Sequence, residues 1–423
     1  MIPALQSSGF NLIATLKESG GKTSDGKKRN RLHGLLVISE VGIAMILLVG
    51  AGLLIKSFYK LQQVDLGFNP ASVLTMRLSL PEARYAEPQK ARAFFDELVS
   101  RTEDLPGVKS VGVVSSLPLS GSGVSLNMFV EDKPENQVNV ELLMSNPKYL
   151  NALGLELQEG RFFNERDRDN TPYVAVVNEA FARSFLPGES VLGKRVKMGA
   201  LNAPFPWLSI VGVLRDIKHQ GPNAEAKPEM FVPYTQAPLG MLMLQSMFLA
   251  VRTDSNPERS VATVRGIVRE IDPEQPIFEV STMQELLAAT VATHRFNMLL
   301  VGIFSMLALL LAAIGIYGVM SYTVAARTRE IGIRMALGAR TVNVLSLVIR
   351  DGMVLALAGL TIGICGALAL TRLMSRMLFQ VTPTDLTTFA FVSILLIIVA
   401  LVACILPARR ASLVEPMEAL RRE

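Results

Sequence analysis

The feature that most constrains this chain is the position of its four long apolar stretches. One lies near the start, at Gly34–Ile55, and three lie towards the end, at Phe296–Ala326, Gly352–Thr371 and Thr387–Ala408. Each is long enough to cross the roughly 30 Å hydrocarbon core of a bilayer, for which about 20 apolar residues suffice. Because only segments that satisfy their own backbone hydrogen bonds are stable in lipid, we expect four transmembrane helices.

A charged segment separates the first apolar stretch from the second. In it, pieces with helical spacing alternate with short runs of β-branched residues, which is typical of an α+β domain. The predicted helices are 89–102, 178–185 and 257–271, and the predicted strands are 108–114, 174–177 and 208–214. The sequence therefore predicts an α-helical membrane protein in which one transmembrane helix precedes a large extracytoplasmic α+β domain and three follow it.

Five consecutive segments are expected along the chain. They are a tail and linker at 1–33, the first transmembrane helix at 34–58, the α+β domain at 59–290, a domain containing the other three helices at 291–412, and a C-terminal tail at 413–423. The three later spans are expected at about 296–326, 352–371 and 387–408. Within the first segment, a stretch rich in Gly, Ser and Lys predicts a flexible linker.

One further uncharged run, at 230–251, has the length of a membrane span. It contains two prolines, a glycine and two glutamines, which lower its apolarity and interrupt helical periodicity. A fifth span would also place the C-terminal basic cluster outside the cell. We therefore interpret this run as buried strand and loop within the α+β domain.

Short loops rich in Lys and Arg indicate the cytoplasmic side of a membrane protein. Here the basic residues are concentrated at 22–31, 327–350 and 409–422, which lie on one side of the membrane if all four stretches cross it. Both termini are then cytoplasmic, and the large domain is extracytoplasmic. Arg372 and Arg376 oppose this assignment, but the cytoplasmic basic residues outnumber them.

The net charge of +5 is therefore interpreted as a topology signal. A nucleic-acid partner is not expected, because no basic stripe with interleaved aromatic residues is visible. Cys365 and Cys404 both lie inside predicted spans, so no disulfide framework is expected.

Residues that could support catalysis or metal binding form no recognisable pattern. His33, His219 and His294 lack ligand spacing, so no metal or other cofactor is expected. The sequence GESVLGKR at 188–195 is close to a phosphate-binding loop, but Arg195 replaces the hydroxyl residue that would hold Mg²⁺. We expect no catalytic residues and no nucleotide site, so that any ATPase must be a separate polypeptide.

Charged and small residues inside the spans suggest where helices meet. Glu40 is the only charge in the first span, six residues beyond Gly34, and two roles remain open for it. It either reaches the inner interface or a neighbouring helix, which we favour, or belongs to a proton relay. Glycines within the later spans favour close helix packing, as in the pair Gly359 and Gly363. The glycines concerned are Gly302, Gly315, Gly318, Gly359, Gly363 and Gly366.

The segment 325–340, directly after the second apolar stretch, is the most informative short segment for function. It alternates arginines with aliphatic residues, as expected of a short amphipathic helix at the cytoplasmic surface. From the residues alone, anchoring among lipid headgroups and docking into a groove on a cytoplasmic partner remain equally open. The residues expected to contribute are Arg329, Glu330, Ile331, Ile333, Arg334, Met335, Leu337 and Arg340.

Several of these segments resemble one known family. The sequence REIGIRMALGAR at 329–340 closely resembles the cytoplasmic loop of FtsX-like permeases, the MacB, LolC and LolE type of ABC transporter subunit. Segments 149–163, 176–196 and 211–234 resemble parts of the MacB-type periplasmic core domain, and the ending 406–421 resembles the terminal motif of the family. The resemblance thus extends over nearly the whole chain.

An internal echo adds to this resemblance. Residues 3–8 are similar to residues 407–412, either by chance or because the chain starts where a preceding copy of the same membrane unit ended. The echo is similar to the duplicated permeases of this family in Acidobacteria, of which this chain would match one half.

The resemblance implies a function as well as a fold. A separate cytoplasmic ABC ATPase would close on ATP and push the helix at 329–340. Spans one and two would pass this movement to the extracytoplasmic domain, which extrudes a substrate. The alternative is an FtsX-like scaffold that regulates a periplasmic partner without transport.

The resemblance also implies location and partners. The chain is expected in the bacterial inner membrane as a dimer or as a pseudo-dimer with a related half. A periplasmic adaptor would be a further partner.

Overall fold

The computed structural model describes residues 24–121, 123–131, 133–199, 202–236, 244–328, 333 and 341–412. The chain divides into two compact units. The helical unit consists of Met1–Lys60 and His294–Glu423, and the sheet unit consists of Leu61–Thr293.

The helices and strands are numbered in chain order. The helices are α1 (Ser24–Gln62), α2 (Pro88–Glu103), α3 (Tyr149–Leu153), α4 (Glu179–Phe185), α5 (Val261–Ile271), α6 (Met283–Ala326), α7 (Thr341–Leu373) and α8 (Leu386–Ser412). The strands are β1 (Val73–Ser79), β2 (Val108–Val114), β3 (Val124–Val130), β4 (Lys133–Ser145), β5 (Leu157–Gly160), β6 (Val174–Asn178), β7 (Arg195–Met198), β8 (Leu208–Leu214), β9 (Glu229–Pro233), β10 (Ser246–Thr253) and β11 (Ile277–Thr282).

The strands of the sheet unit form one mixed sheet of eleven strands. Their order is β11-β1-β10-β2-β4-β3-β7-β8-β6-β9, and β5 pairs with β8. Strand β4 also pairs with β9 in parallel, so that β4, β3, β7, β8, β6 and β9 close into a ring. Closure removes exposed strand edges, which are otherwise sites for pairing with other chains.

Alternation along the strands creates two cores in the sheet unit. In β10, Leu249 and Val251 belong to one core, while Phe248 and Ala250 between them belong to the other. This follows from the two-residue period of a strand, which sends successive side chains to opposite faces. Helices α2 and α5 cover the first core, and α3 packs in the second.

Most of the secondary structure predicted for this unit is confirmed. Strands β2 and β8 have the predicted bounds, and β6, α2, α4 and α5 lie within two residues of the predictions, except that 257–260 form a short 3₁₀ helix. The run at 230–251 is strand β9, a 3₁₀ turn and part of β10, as interpreted, with 237–243 outside the described residues.

The helical unit contains four helices that are long and apolar enough to cross a membrane, namely α1, α6, α7 and α8. All four predicted spans lie inside them, but the helices extend further. Helix α1 begins at Ser24, so residues 24–33 of the predicted tail and linker are helical. Residues 1–23 lie outside the described residues. Helix α6 begins at Met283, thirteen residues before the first residue of its uncharged stretch.

Candidate functional site

Helix α6 contains residues of both the sheet unit and the helical unit. Its 44 residues correspond to about 66 Å of helix at 1.5 Å per residue, which is about twice a bilayer core of roughly 30 Å. Residues 283–293 belong to the sheet unit, and the remainder belongs to the helical unit.

The start of α6 is fixed by a reciprocal cap. The Thr282 backbone N–H donates to the Glu285 carboxylate at 2.7 Å, and the Glu285 backbone N–H donates to Thr282 Oγ1 at 3.1 Å. This capping box satisfies two backbone donors that the first helical turn would otherwise leave free. Met283 beside it is fully buried in the second core of the sheet unit. The sequence analysis missed this cap, although Thr-Met-Gln-Glu is a readable capping signal.

The other end of α6 is held by charged contacts within the helical unit. Arg327 forms an ion pair with Asp351 of α7 at 2.9 Å, and Arg410 of α8 donates to the Tyr317 hydroxyl at 3.0 Å. These contacts join α6 to both following helices just before the segment 329–340.

The predicted coupling segment itself is almost entirely outside the described residues. Only Ile333 is described, and its side chain is exposed. The coupling roles of these residues therefore remain predictions. The predicted residues that fall outside the described part are Arg329, Glu330, Ile331, Arg334, Met335, Leu337 and Arg340.

Helix α1 packs tightly on a glycine face of α7. A Cβ on Gly359 would lie 2.8 Å from the Ile38 carbonyl oxygen, and one on Gly363 would lie 2.6 Å from Met45 Cβ. The close packing predicted from Gly359 and Gly363 is thus confirmed, as backbone approach of this kind requires small residues.

The other glycines in the spans differ in how closely they approach neighbouring helices. Gly366 also contacts α1, through Ile46, whereas a Cβ on Gly302 or Gly318 would meet no atom of the described residues within 4 Å. These two residues thus show no close packing against the described residues, because the side of a helix that a glycine occupies depends on tertiary arrangement.

A polar cluster ties α1 to the loop before α8. The Lys56 ammonium lies 2.7 Å from Asp385 and also donates to the Thr387 hydroxyl at 3.0 Å. Asp385 caps α8, since it accepts from the Thr388 backbone N–H and hydroxyl. The Lys56 ammonium and the threonine hydroxyls hold the pKa of the Asp385 carboxyl well below its usual range. We call Lys56, Asp385, Thr387 and Thr388 the latch.

Two further contacts reinforce the latch. Lys60 donates to the Gln380 carbonyl at 2.5 Å, and the Phe379 backbone N–H donates to Ser57 Oγ at 2.8 Å. No pattern in the sequence pairs these distant positions, although two lysines spaced i, i+4 at the end of α1 mark a polar helix end.

Glu40 contacts α6, as one of its two predicted roles requires. A Cβ on Gly315 would lie 1.9 Å from Glu40 Oε2, so the carboxyl group occupies the space left by this glycine. Glu40 Oε2 is buried and has no hydrogen-bond partner among the described residues. Nearby, Ser305 of α6 donates to the Leu47 carbonyl of α1 at 2.7 Å.

The sheet unit contains a buried acid and histidine that the sequence analysis did not connect. His219 Nε2 lies 3.6 Å from Glu229 Oε2, and both side chains are at least nine-tenths buried. Burial lowers the pKa of His219 to about 4. Burial, together with the charges of Glu141 and Asp216, raises the pKa of Glu229 well above its ordinary value.

The sheet unit also carries an open cleft of about 530 Å³ with polar walls. Arg92 and Asp169 form an ion pair at 2.5 Å in it, and the Tyr234 hydroxyl bonds to Asp96. Among the described residues, no three His, Cys, Asp or Glu side chains are grouped as metal ligands.

Comparison with known proteins shows two matching family models. Residues 35–270, more than half of the chain, match the MacB-like periplasmic core domain, and residues 302–416 match the FtsX-like permease C-terminal domain.

Two relatives share just over a quarter of their aligned residues with this chain. The chain is 27% identical over 397 residues to the macrolide export ATP-binding/permease protein MacB of Azoarcus sp., covering 92% of this chain and 56% of that protein. It is 27% identical over 272 residues to the pyoverdine export ATP-binding/permease protein PvdT of Pseudomonas syringae pv. syringae, covering 63% and 40% respectively. The chain thus spans about half the length of the curated relatives it matches.

Among solved structures, the periplasmic region of MacB from Actinobacillus actinomycetemcomitans aligns with a TM-score of 0.37 and 14% identity, over 55% of this chain and 95% of that one. With one family model over the first apolar helix and most of the sheet unit, and the other over the last three helices, the chain belongs to the family of MacB-like and FtsX-like ABC transporter permeases.

Proposed function

We propose that the chain is a permease subunit that couples ATP hydrolysis by a separate cytoplasmic ATPase to movement of its extracytoplasmic domain, and that this movement extrudes a substrate. The observation that carries the proposal is the continuity of α6. This helix starts in the core of the sheet unit, under a capping box, and ends next to 329–340. A continuous helix transmits displacement along its axis because each backbone hydrogen bond supports the next turn.

The proposed topology follows the distribution of basic residues. The sheet unit lies outside the cytoplasm, both termini lie inside, and the four apolar helices span the bacterial inner membrane as one plus three. The proposed domain bounds are 34–58, 59–290 and 291–412, flanked by tails at 1–33 and 413–423. The ATPase, a second permease half in a dimer and a periplasmic adaptor are the proposed partners.

Reversal of one charge pair tests the coupling. Glu330 and Arg334 are spaced i, i+4, so they share a face if the segment is helical. The double substitution Glu330→Arg, Arg334→Glu preserves the attraction between the two side chains. It would, however, place like charges against those of the ATPase, which costs several kcal/mol at an interface. We expect normal membrane insertion and loss of ATPase co-purification.

A matched control lies in the sheet unit. Glu97 and Arg101 of α2 form an exposed i, i+4 ion pair at 2.6 Å, and reversing them should leave ATPase association unchanged. If the 330/334 double variant still binds its ATPase with wild-type affinity, the segment is a lipid anchor and the coupling proposal fails.

Cysteine labelling tests the topology. In a background with Cys365→Ala and Cys404→Ala, a cysteine at the exposed position Glu165 (Glu165→Cys) should react with an impermeant thiol reagent in intact cells, and Thr341→Cys should not. Labelling of position 341 alone, or equal labelling of both, would overturn the orientation.

The absence of a nucleotide motif gives a further test. The purified chain should hydrolyse ATP no faster than its Lys194→Ala variant. A specific rate that this substitution abolishes would contradict an ATPase supplied by another chain.

A scaffold that regulates a periplasmic partner is the second candidate, and it shares the coupling step. The polar cleft around Arg92, Asp96 and Asp169 is where a partner segment could bind. Substrate accumulation in cells lacking the chain would favour transport. Altered activity of a periplasmic enzyme, without accumulation, would favour the scaffold.

A further inference from the structure

A pocket of about 340 Å³ lies between α1 and α6 within the helical unit. Most of its wall is aliphatic or bare backbone, and it contains one carboxyl group and two aromatic rings. The residues that form it are His33, Leu36, Val37, Glu40, Gly315, Gly318, Val319 and Tyr322.

The carboxyl group of Glu40 is unusual in a pocket whose walls are mostly apolar. Glu40 Oε2 is shielded from solvent, and none of the described residues donates a hydrogen bond to it. Its position depends on the lack of a side chain at Gly315, where a Cβ would lie 1.9 Å away. Ionisable groups in a membrane span are costly unless a cation or donor meets them. The pocket is therefore suited to a ligand that brings its own donor.

The aromatic rings narrow the chemistry of that ligand. The rings of His33 and Tyr322 lie 5.7 Å apart at 33° and line the same pocket as Glu40. Aromatic faces beside a carboxylate are typical of sites that recognise organic ammonium groups. Gly318 leaves open space beside them, since a Cβ there would meet nothing within 4 Å in the described part of the chain. The aliphatic walls are suited to an alkyl chain attached to the ammonium group.

We propose that this pocket binds an amphiphile with an ammonium headgroup, whose charge meets Glu40 and whose alkyl chain follows the apolar walls. The ammonium group could belong to phosphatidylethanolamine of the bilayer or to a free lipophilic amine. The site requires that α1 and α6 lie in a membrane, but it is independent of the proposed ATPase coupling.

The test uses the full chain in the uncharged detergent dodecylmaltoside, with dodecylamine and the uncharged dodecanol as probes. Binding is measured by native mass spectrometry and by the shift in thermal unfolding. We expect dodecylamine to bind at least about tenfold more tightly than dodecanol, because only the amine forms a charge-assisted hydrogen bond with Glu40. Glu40→Gln should remove this preference.

A second variant separates loss of binding from loss of folding. Gly318→Leu fills the pocket and leaves the carboxyl group in place, so it should weaken the binding of dodecylamine by at least about tenfold. Gly302→Leu makes the same substitution in α6 at another open position, and should bind dodecylamine as the wild type does.

Lipid retained during purification distinguishes the two sources. Phosphatidylethanolamine that stays with the wild type, is absent from Glu40→Gln and is displaced by dodecylamine identifies the bilayer lipid as occupant. Amine binding without retained lipid identifies a free amphiphile. Equal binding of dodecylamine and dodecanol by the wild type, or an unchanged preference in a folded Glu40→Gln variant, would overturn the proposal.

Discussion

The two units differ in how many of their large apolar side chains they bury. The sheet unit buries large side chains completely, among them Phe95, Phe181 and Phe231. In the helical unit, small residues such as Ala44 and Ala367 are buried where helices meet, while many large apolar side chains, such as Ile303 and Phe391, are exposed. Burial from water drives the first kind of packing, whereas close backbone approach stabilises helices that are already in lipid. Substitutions that enlarge a residue should therefore act differently at tight and at open positions.

A second contrast lies inside the helical unit. Half of the most apolar stretch of α1 is buried by the rest of the chain, but only 17% of that of α6. Helix α1 is thus fixed by its neighbours along much of its length, while α6 has few such contacts. Elements with few buried contacts are the ones that move at low cost, and the proposed transmission of movement by α6 requires this.

The largest effect is expected from enlarging one tight glycine in each unit. Gly363→Leu would drive a side chain into Met45 in the helical unit, and Gly112→Leu would meet the Tyr149 backbone at 2.7 Å in the sheet unit. Overpacking costs about 1–3 kcal/mol or more where the obstacle cannot move. Each variant should lower the unfolding transition of its own unit, as followed by labelling of buried cysteines introduced into each.

Open glycines provide the controls for this comparison. At Gly302 in the helical unit and Gly266 in α5, an added Cβ would meet no described residue within 4 Å, so Gly302→Leu and Gly266→Leu are the open substitutions. Gly266→Leu should even raise the stability of the sheet unit by up to about 1 kcal/mol, because glycine is a poor helix former. If tight and open substitutions behaved alike, the packing contrast would be wrong.

The next effect is a pH dependence of the sheet unit between pH 6.5 and 4. The lowered pKa of His219 means that the unfolded chain takes up a proton below about 6.5 and the folded chain only below about 4. Its contribution to the free energy of unfolding is present above pH 6.5 and falls by about 3 kcal/mol as the pH drops to 4. The raised pKa of Glu229 acts in the opposite sense, since its contribution is present at low pH and is lost as the pH rises through the folded value.

Two variants separate these opposed contributions. Glu229→Gln keeps the contribution of His219 to the free energy of unfolding, and should make the sheet unit lose stability as the pH falls from 6.5 to 4. His219→Gln keeps the contribution of Glu229, and should make the stability rise as the pH falls over the same range. Urea unfolding at several pH values measures both, and parallel curves for the two variants would contradict the assignment.

The smallest effect is expected at the latch. Lys56→Met removes an ion pair whose acid is largely buried, and should lower the stability of the helical unit by about 1 kcal/mol. The matched change Lys90→Met in the sheet unit removes an exposed pair with Glu87 and should have no measurable effect. Thermal unfolding of both variants in detergent makes the comparison, and an equal shift in the two would show that burial of Asp385 does not strengthen the latch.

Local patterns explain which parts of the fold could be predicted. Alternation in β2 and β8 and the prolines of 230–251 are local signals, and the elements they predicted are present. Helices α1 and α6 extend beyond the predicted spans, because a helix can continue past the charged residues that limit an uncharged stretch. For α6, the capping signal at Thr282 and Glu285 contained the missing information.

Contacts between distant residues could not be predicted in this way. The latch and the pair of His219 and Glu229 join positions on different elements, so no spacing within one element indicates them. The same applies to the glycines, since Gly315 meets Glu40 and Gly318 meets open space although they lie three residues apart on one helix. Rotation of each helix about its axis decides such contacts, and composition does not specify it.

The latch has a consequence for the order of events during synthesis. Lys56 and Asp385 are 329 residues apart in sequence. At roughly 5–20 residues per second, a ribosome needs about 15–65 s to make the intervening chain. Under the proposed topology, the face of α1 that packs against α7 is not covered by α7 during that interval, while the sheet unit emerges. Whatever shields this face in the meantime, whether lipid or an insertion factor, should then affect how much of the protein matures.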